Sequence, residues 1–264
     1  MDPTARFVDL MQGPEAAMPL DELALLVAAH ARPDLDVAAA RERLDELAAG
    51  VVEPTAEALC RHLFVAEGYV GDHQDYYDPR NSYLDQVLER RVGIPISLAV
   101  LLLEVGRRVG VGLAGVSMPG HFLVRVGCAS DGSGSFIDAF DRGAILDEAA
   151  CAARFRALHG PAARFDPAFL APVGTAAIVA RMLANLDAIA TARADRPMLG
   201  WVVRLRAALP GAPPELSRRL AEVLAASCRF ADAADVLERL AASGRGTEAD
   251  DDARTAHRLR ARLN

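Results

Sequence analysis

His121 and Asp138 are the residues in this sequence whose types and spacing could do chemistry. His121 follows Pro119-Gly120 and opens a β-like run, Phe122 to Val126; Asp138 lies in the next such run, Phe136 to Phe140. Neighbouring antiparallel strands can set a carboxylate against an imidazole and fix its tautomer, which makes two members of a hydrolase triad. A buried histidine that closes a turn through a hydrogen bond would use the same two residues without any reaction. On either reading the two side chains are expected to be hydrogen-bonded neighbours. The chain before them carries an apolar helix, Ile96 to Val109.

A nucleophile is harder to find. A thiol enzyme of the papain type needs a cysteine at the start of that helix, where the helix dipole favours the thiolate. The segment reads Gly93-Ile94-Pro95-Ile96-Ser97-Leu98-Ala99, with no cysteine. Ser97 is the only hydroxyl in the first turns. It is either a nucleophile or a helix-start hydroxyl that bonds a local backbone group. Cys128 lies next to a turn and reads as a packed small hydrophobe. Glu104 is the one charge within the apolar helix and shares a face with Ser97 and Leu101. Arg107 and Arg108 follow it by three and four residues, so it forms a helical ion pair, or else lines a polar pocket or locks an arginine in the core. Arg125 shares a strand face with Leu123 and can pair with an acid or meet an anion. Asn81 or Ser82 can cap the helix Tyr83 to Arg90. The catalytic candidates are thus His121, Asp138 and Ser97, and the ligand-binding candidates Asn81, Glu104 and Arg125. Asp72-His73-x-Asp75 offers metal-ligand types without supporting spacing and reads as a solvated acidic loop. No metal and no cofactor is expected.

These residues must be positioned by three regions. Residues 1–70 read as helices: a run from Asp21 through Leu23, Leu25, Leu26 and Ala29, another from Ala38 to Leu47, and a third from Glu57 to Val65. Residues 71–165 hold the acidic, aromatic loop 71–80, the helices 83–90 and 96–109, and three short strands, Leu113 to Met118, Phe122 to Val126 and Phe136 to Phe140. Asp131-Gly132-Ser133-Gly134 marks the turn between the last two strands. This predicts one helix packed on a small antiparallel sheet. Residues 170–264 return to helix. There Leu186 matches Leu220, Ile189 matches Val223, Ala190 matches Leu224, Val202 matches Val236 and Val203 matches Leu237, all at a 34-residue offset. That period is the spacing of tetratricopeptide units. Two such pairs bury too little alone, so they are expected to dock on the preceding core. Residues 244–252 read as a solvated loop before a last basic helix.

The composition narrows the function. The 264 residues are 52% hydrophobic, which excludes a wholly disordered chain. Basic residues number 29 and acidic 36, a net charge of −7 that argues against a general nucleic-acid binder. Every basic residue other than histidine is arginine, so Schiff-base chemistry on lysine is excluded. The N-terminus shows no signal peptide. The longest near-apolar stretch, Ile94 to Leu103, is too short to span a bilayer, so no membrane partner is expected. Cys60, Cys128, Cys151 and Cys228 are scattered, as in a reduced cytoplasmic protein.

Four segments together resemble a known family. They are Asp75-Tyr76-Tyr77-Asp78-Pro79-Arg80-Asn81-Ser82-Tyr83-Leu84, Arg90-Arg91-x-Gly93-Ile94-Pro95-Ile96-Ser97-Leu98, Pro119-Gly120-His121-Phe122-Leu123-Val124-Arg125 and Ile137-Asp138-Ala139-Phe140. In this order they look like the SirB family of bacterial proteins. Residues 60–145 carry the resemblance closely, and Arg181-Met182-Leu183-x-Asn185-Leu186 extends it more loosely. It implies an α+β fold that is mainly helical: N-terminal helices, a transglutaminase-like or papain-like core and C-terminal tetratricopeptide-type helices. In active enzymes of that fold the helix opens with Gly-x-Cys and an Ala four residues after the Cys. Gly93 and Ala99 fit this frame, and Pro95 stands where the Cys would be. The resemblance therefore implies a non-catalytic protein that binds a peptide, protein or small ligand through a degenerate cleft and its C-terminal helices. The alternatives are a hydrolase using water or Ser97 with His121 as base, and a structural adaptor acting through the C-terminal helices alone.

Overall fold

The computed structural model describes residues 2–127 and 134–263. Cys128 and most of the turn signal at 131–134 lie outside the described residues. The fold is α+β, mostly helical with a small antiparallel sheet. Contacts divide the chain into one unit through Met182 and a second from Leu183.

The first unit begins with α1 (Pro3–Met11), which the apolar periodicity did not single out. Its start is nevertheless written locally: Asp2 caps the Thr4 N–H and Pro3 occupies the first turn. Next come α2 (Leu20–Ala29), α3 (Val37–Ala49) and α4 (Ala56–Cys60). Where one regular helix was expected over 57–65, α4 passes at Arg61 into a π-helical turn that runs to Ala66. Then follow β1 (Val70–Gly71), α5 (Leu84–Arg90), β2 (Val92–Gly93) and the central helix α6 (Pro95–Val109). Neither Asn81 nor Ser82 caps α5; its N-cap is Tyr83, with no side-chain bond. β1 and β2 form a parallel two-residue ladder, in which Val70 N–H donates to the Arg91 carbonyl and Asp72 N–H to that of Gly93, both at 2.9 Å.

α6 is buried almost all round. Leu98, Val100, Leu101, Leu102 and Val105 have no exposed surface. At about 1.5–3 kcal/mol per buried side chain, these residues make the helix the anchor of the unit. It packs on α2, α3, α4 and α5 and on the sheet through β3 (Leu113–Val116) and β4 (Leu123–Val126). The sheet continues with β5 (Phe136–Asp138) and β6 (Ala144–Leu146), followed by α7 (Glu148–His159) and β7 (Pro172–Val173). Its antiparallel order is β6-β5-β4-β3-β7. The expected strands are shorter than read, and α7, β6 and β7 are additions to them. β5 stops at Asp138 because that side chain turns back to accept from the N–H groups of Phe140 and Asp141.

The remaining helices are α8 (Thr175–Ala192), α9 (Arg196–Ala207), α10 (Pro214–Ala226), α11 (Phe230–Ser243) and α12 (Thr247–Arg260). α8 and α10 end, and α9 and α11 begin, 34 residues apart. Val203, Leu220, Leu224, Ala233, Leu237 and Leu259 form the core of the second unit. Asp187 is buried there between the guanidinium groups of Arg206 and Arg219. One sequence expectation is corrected here. The acidic stretch after Gly246 is the first part of α12 and not a loop, because carboxylates favour a helix N-terminus and Asp252 pairs with Arg218. Beyond the stretch Ile94 to Leu103, α8 has the length and composition to cross a membrane, and its apolar residues Ile178, Val179, Met182 and Leu186 are buried.

Candidate functional site

A cleft of about 630 Å³ opens where the start of α6, the loop before β4, the turn after β5 and α7 come together. Pro95, at the first position of α6, lines it together with His121, Phe140, Asp141 and Arg154. The loop after β1 supplies its other wall through Asp72, His73, Tyr76 and Tyr77.

His121 Nε2 lies 2.8 Å from Asp138 Oδ2, and both side chains are buried. A carboxylate can only accept, so Nε2 carries a proton, and in the neutral form of such a ring the lone pair is on Nδ1. Among the described residues no partner meets Nδ1, and His121 lines the cleft. Arg154, from α7, donates to Asp138 Oδ2 with one guanidinium nitrogen and to Asp141 Oδ2 at 2.7 Å with the other. Asp138 Oδ1 takes the N–H groups of Phe140 at 3.0 Å and Asp141 at 3.2 Å. Burial pushes the Asp138 carboxyl up. The hydrogen bond from His121 and the charge of Arg154 outweigh it and hold the group below the usual aspartate range.

The aromatic wall has its own support. His73 packs on Phe140 at a tilt of 57° with ring centroids 4.5 Å apart, Tyr76 meets Phe140 edge-on at 6.0 Å, and Tyr77 meets Tyr76 at 5.2 Å. Gly71 is required beside them: a Cβ there would stand 2.5 Å from the Phe140 ring. Asp72 accepts from the N–H groups of Gln74 and Asp75 and from Asn81 Nδ2, and these bonds keep its carboxyl below the ordinary range despite some desolvation.

The structure places the other sequence candidates away from this cleft. Asn81 is fully buried; Nδ2 donates to Asp72 and to the Asp75 carbonyl, and Oδ1 accepts from Arg90 at 3.0 Å. It knits the loop and has no free polar atom for a ligand. Ser97 is buried too. Its hydroxyl donates to the Asn81 carbonyl at 2.6 Å and accepts from Ile94 N–H at 3.0 Å, an arrangement of the capping-box kind. Gly93 is needed for it, since a Cβ would come within 2.7 Å of Ser97 Oγ. The nucleophile reading of Ser97 is corrected accordingly: its hydroxyl is spent in holding the start of α6. Glu104 is buried and accepts from both Arg107 and Arg108 at 2.8 Å. Arg108 also reaches Asp21 and Asp45, each at 2.6 Å, so Glu104 serves an ion network that joins α6 to α2 and α3. Arg125 lines a separate pocket of about 590 Å³ with Phe136, Asp147 and Glu148. Arg154 was missed by sequence reasoning. Its signal was one of two arginines in the alanine-rich run after Asp147, which looked like any solvated helix face.

No described thiol lines the cleft. Cys60 and Cys151 are buried, and burial pushes their thiols up to about 12 and about 11. In the native protein at mild alkaline pH, iodoacetamide is therefore expected to label Cys228, which is exposed, and to spare Cys60 and Cys151 until denaturant is added. Peptide mapping by mass spectrometry reads this directly; rapid native labelling of Cys60 or Cys151 would contradict it. Among the described residues no group of three metal-ligating side chains is assembled.

A small antiparallel sheet against a central helix, with a histidine–aspartate pair facing the helix start, defines a transglutaminase-like protein. Residues 15–184 match the family model of the transglutaminase-like superfamily, and the chain belongs to that superfamily. It is similar to the UPF0162 protein of Xylella fastidiosa strain Temecula1, 41% identical over 189 residues, which are 66% of this chain and 66% of that protein. The match thus spans about two thirds of that relative. The UPF0162 protein of Pseudomonas aeruginosa is 32% identical over 205 residues, 74% of this chain and 73% of that one. Mouse F-box only protein 21 is 42% identical over 89 residues, 31% of this chain and 14% of that protein. Among solved structures, the crystal structure of menin that reveals the binding site for Mixed Lineage Leukemia (MLL) protein superposes with a TM-score of 0.45 at 12% identity, covering 96% of this chain and 73% of that one.

Proposed function

We propose that this chain is a non-catalytic transglutaminase-like protein, of the SirB type, that binds a peptide or small ligand in the cleft around His121. The observation that carries the reading is Pro95. It lines the same cleft as the His121–Asp138 pair and stands at the helix start where a thiol enzyme of this fold carries its nucleophile. A proline ring has no nucleophilic atom, and the nearest hydroxyl on α6, that of Ser97, is committed to the backbone. What the cleft retains suits recognition. His121 Nδ1 accepts a hydrogen bond from a ligand N–H or O–H, and the rings of Tyr76, Tyr77 and Phe140 offer faces and edges for an apolar or amide group to pack against. The paired helices of the second unit, repeating at 34 residues, support a tetratricopeptide-like reading of that part.

Two assays on the full chain test the proposal. In the first, dansylcadaverine and casein are supplied as amine and glutamine donors; no incorporation is expected, with or without iodoacetamide. Turnover that alkylation abolishes would overturn the non-catalytic reading. In the second, an array of immobilised short peptides is probed with the wild type and with His121→Ala. The wild type is expected to retain a subset of peptides that the variant loses at nearly unchanged melting temperature. Identical retention by both would remove the cleft from the function.

A further inference from the structure

Several arginines of the second unit are neutralised at home, and others have no acidic partner among the described residues. Arg206 and Arg219 share Asp187, Arg218 holds Asp252 and Glu248, and Arg260 holds Asp235 and Glu238. Arg204 and Arg239 differ. Among the described residues neither guanidinium has an acidic partner or a hydrogen bond, yet Arg204 is only half-exposed. They come from two helices that α10 separates in the chain, α9 and α11, and they line one groove of about 330 Å³.

Helical spacing explains why they converge. On α11, Val236, Arg239, Leu240 and Ser243 fall at i, i+3, i+4 and i+7, so one face carries a cation beside an apolar stripe. On α9, Ala207 and Ala208 follow Arg204 and are too small to fill the space beside it. From α10, Leu220 contributes to the floor and the half-buried Ser217 presents a hydroxyl that has no partner among the described residues. The groove therefore offers two guanidinium forks and a hydroxyl above an apolar floor.

We propose that this groove binds an acidic, apolar-containing peptide segment of a partner protein, through carboxylate side chains placed on Arg204 and Arg239 and apolar side chains laid on Leu220, Val236 and Leu240. Guanidinium groups pair best with planar oxyanions, and a partly desolvated one without a carboxylate gains most from receiving one. A free inorganic anion would satisfy the cations and leave the apolar floor wet. A nucleic acid would need many more phosphate contacts than two arginines provide, against a net charge of −7. A peptide with acidic and aliphatic side chains meets both parts of the lining.

The test uses the full chain and a fluorescein-labelled nonapeptide of alternating Glu and Leu, read by fluorescence anisotropy. Wild type is expected to bind it and to ignore the matching Lys–Leu peptide. The double variant Arg204→Glu/Arg239→Glu is expected to bind at least about thirty-fold more weakly, the loss of two charge-assisted contacts. Its melting temperature should hold, because neither guanidinium has an internal partner to lose. Arg245→Glu, an exposed arginine outside the groove, controls for net charge and should leave the affinity unchanged. His121→Ala should also leave it unchanged, which separates this groove from the cleft proposed above. Failure of the wild type to bind, equal affinity in the double variant, or full displacement by excess inorganic phosphate would each overturn the proposal.

Discussion

Asp138→Ala is expected to cost roughly 3–5 kcal/mol of folding stability, the penalty typical of breaking a buried ion pair from one side. The carboxylate has no exposed surface and is met by four donors: His121 Nε2, the Arg154 guanidinium and the N–H groups of Phe140 and Asp141. Alanine would leave Arg154 with Asp141 alone, and would leave His121 Nε2–H and two backbone donors unsatisfied. Asp138→Asn keeps an oxygen for the turn but sets an NH2 group against the His121 and Arg154 donors, so about 1.5–3 kcal/mol is expected. His121→Ala removes one buried hydrogen bond to that carboxylate and should cost about 1.5 kcal/mol, the low end for a bond to a charged group. That ordering lets the His121 variant report on binding while the Asp138 variants report on the fold. The pH dependence has a definite sign. The folded carboxyl titrates below its unfolded value, so its contribution is complete above an unfolded pKa of ~3.9 and fades as acid titrates the folded group. The stability gap between wild type and Asp138→Asn should be full at neutral pH and close in strong acid. Urea titrations of the three variants at two pH values measure all of this; an Asp138→Ala protein as stable as wild type would show that the network has no net worth.

Asp21→Ala is expected to be the second costly change, at about 2–4 kcal/mol. Asp21 lies in the first turn of α2 with no exposed surface, and accepts from Arg41 at 3.1 Å on α3 and Arg108 at 2.6 Å on α6. Arg108 is itself nearly buried, with its side chain 10% exposed. Without Asp21 it keeps Glu104 and Asp45, which limits the loss. This network grips the C-terminal half of α6, and the cleft lies at the opposite end of a 15-residue helix, about 20 Å away. The variant should therefore melt earlier while retaining the same peptides on the array as wild type. Altered retention at an unchanged melting temperature would contradict this separation of anchoring from recognition.

Much of this was legible because the signals are local. Gly93 and Pro95 mark the start of α6, its apolar run marks burial, and the order of two short strands brings His121 to Asp138. The rest depends on contacts between distant segments. Asn81 and Ser97 looked like a cap and a hydroxyl; only the folded loop shows them bonded through the Asn81 carbonyl, sixteen residues apart. Arg154 sits in an alanine-rich helix with nothing in its spacing to tie it to Asp138. β6 and β7, of three and two residues, are too short to show alternation, and the expected loop after Gly246 misread as solvation what is a helix start with its acids in the favourable place.

The ladder between β1 and β2 has a kinetic consequence. It consists of two residue pairs, yet it joins the loop that carries Tyr76 and Tyr77 to the chain that enters Pro95. The walls of the cleft and its floor are thus held in register by the bonds from Val70 and Asp72. A ladder this short opens far more often than the core around α6. The amides of Val70 and Asp72 are therefore expected to exchange with solvent faster than those in the middle of α6.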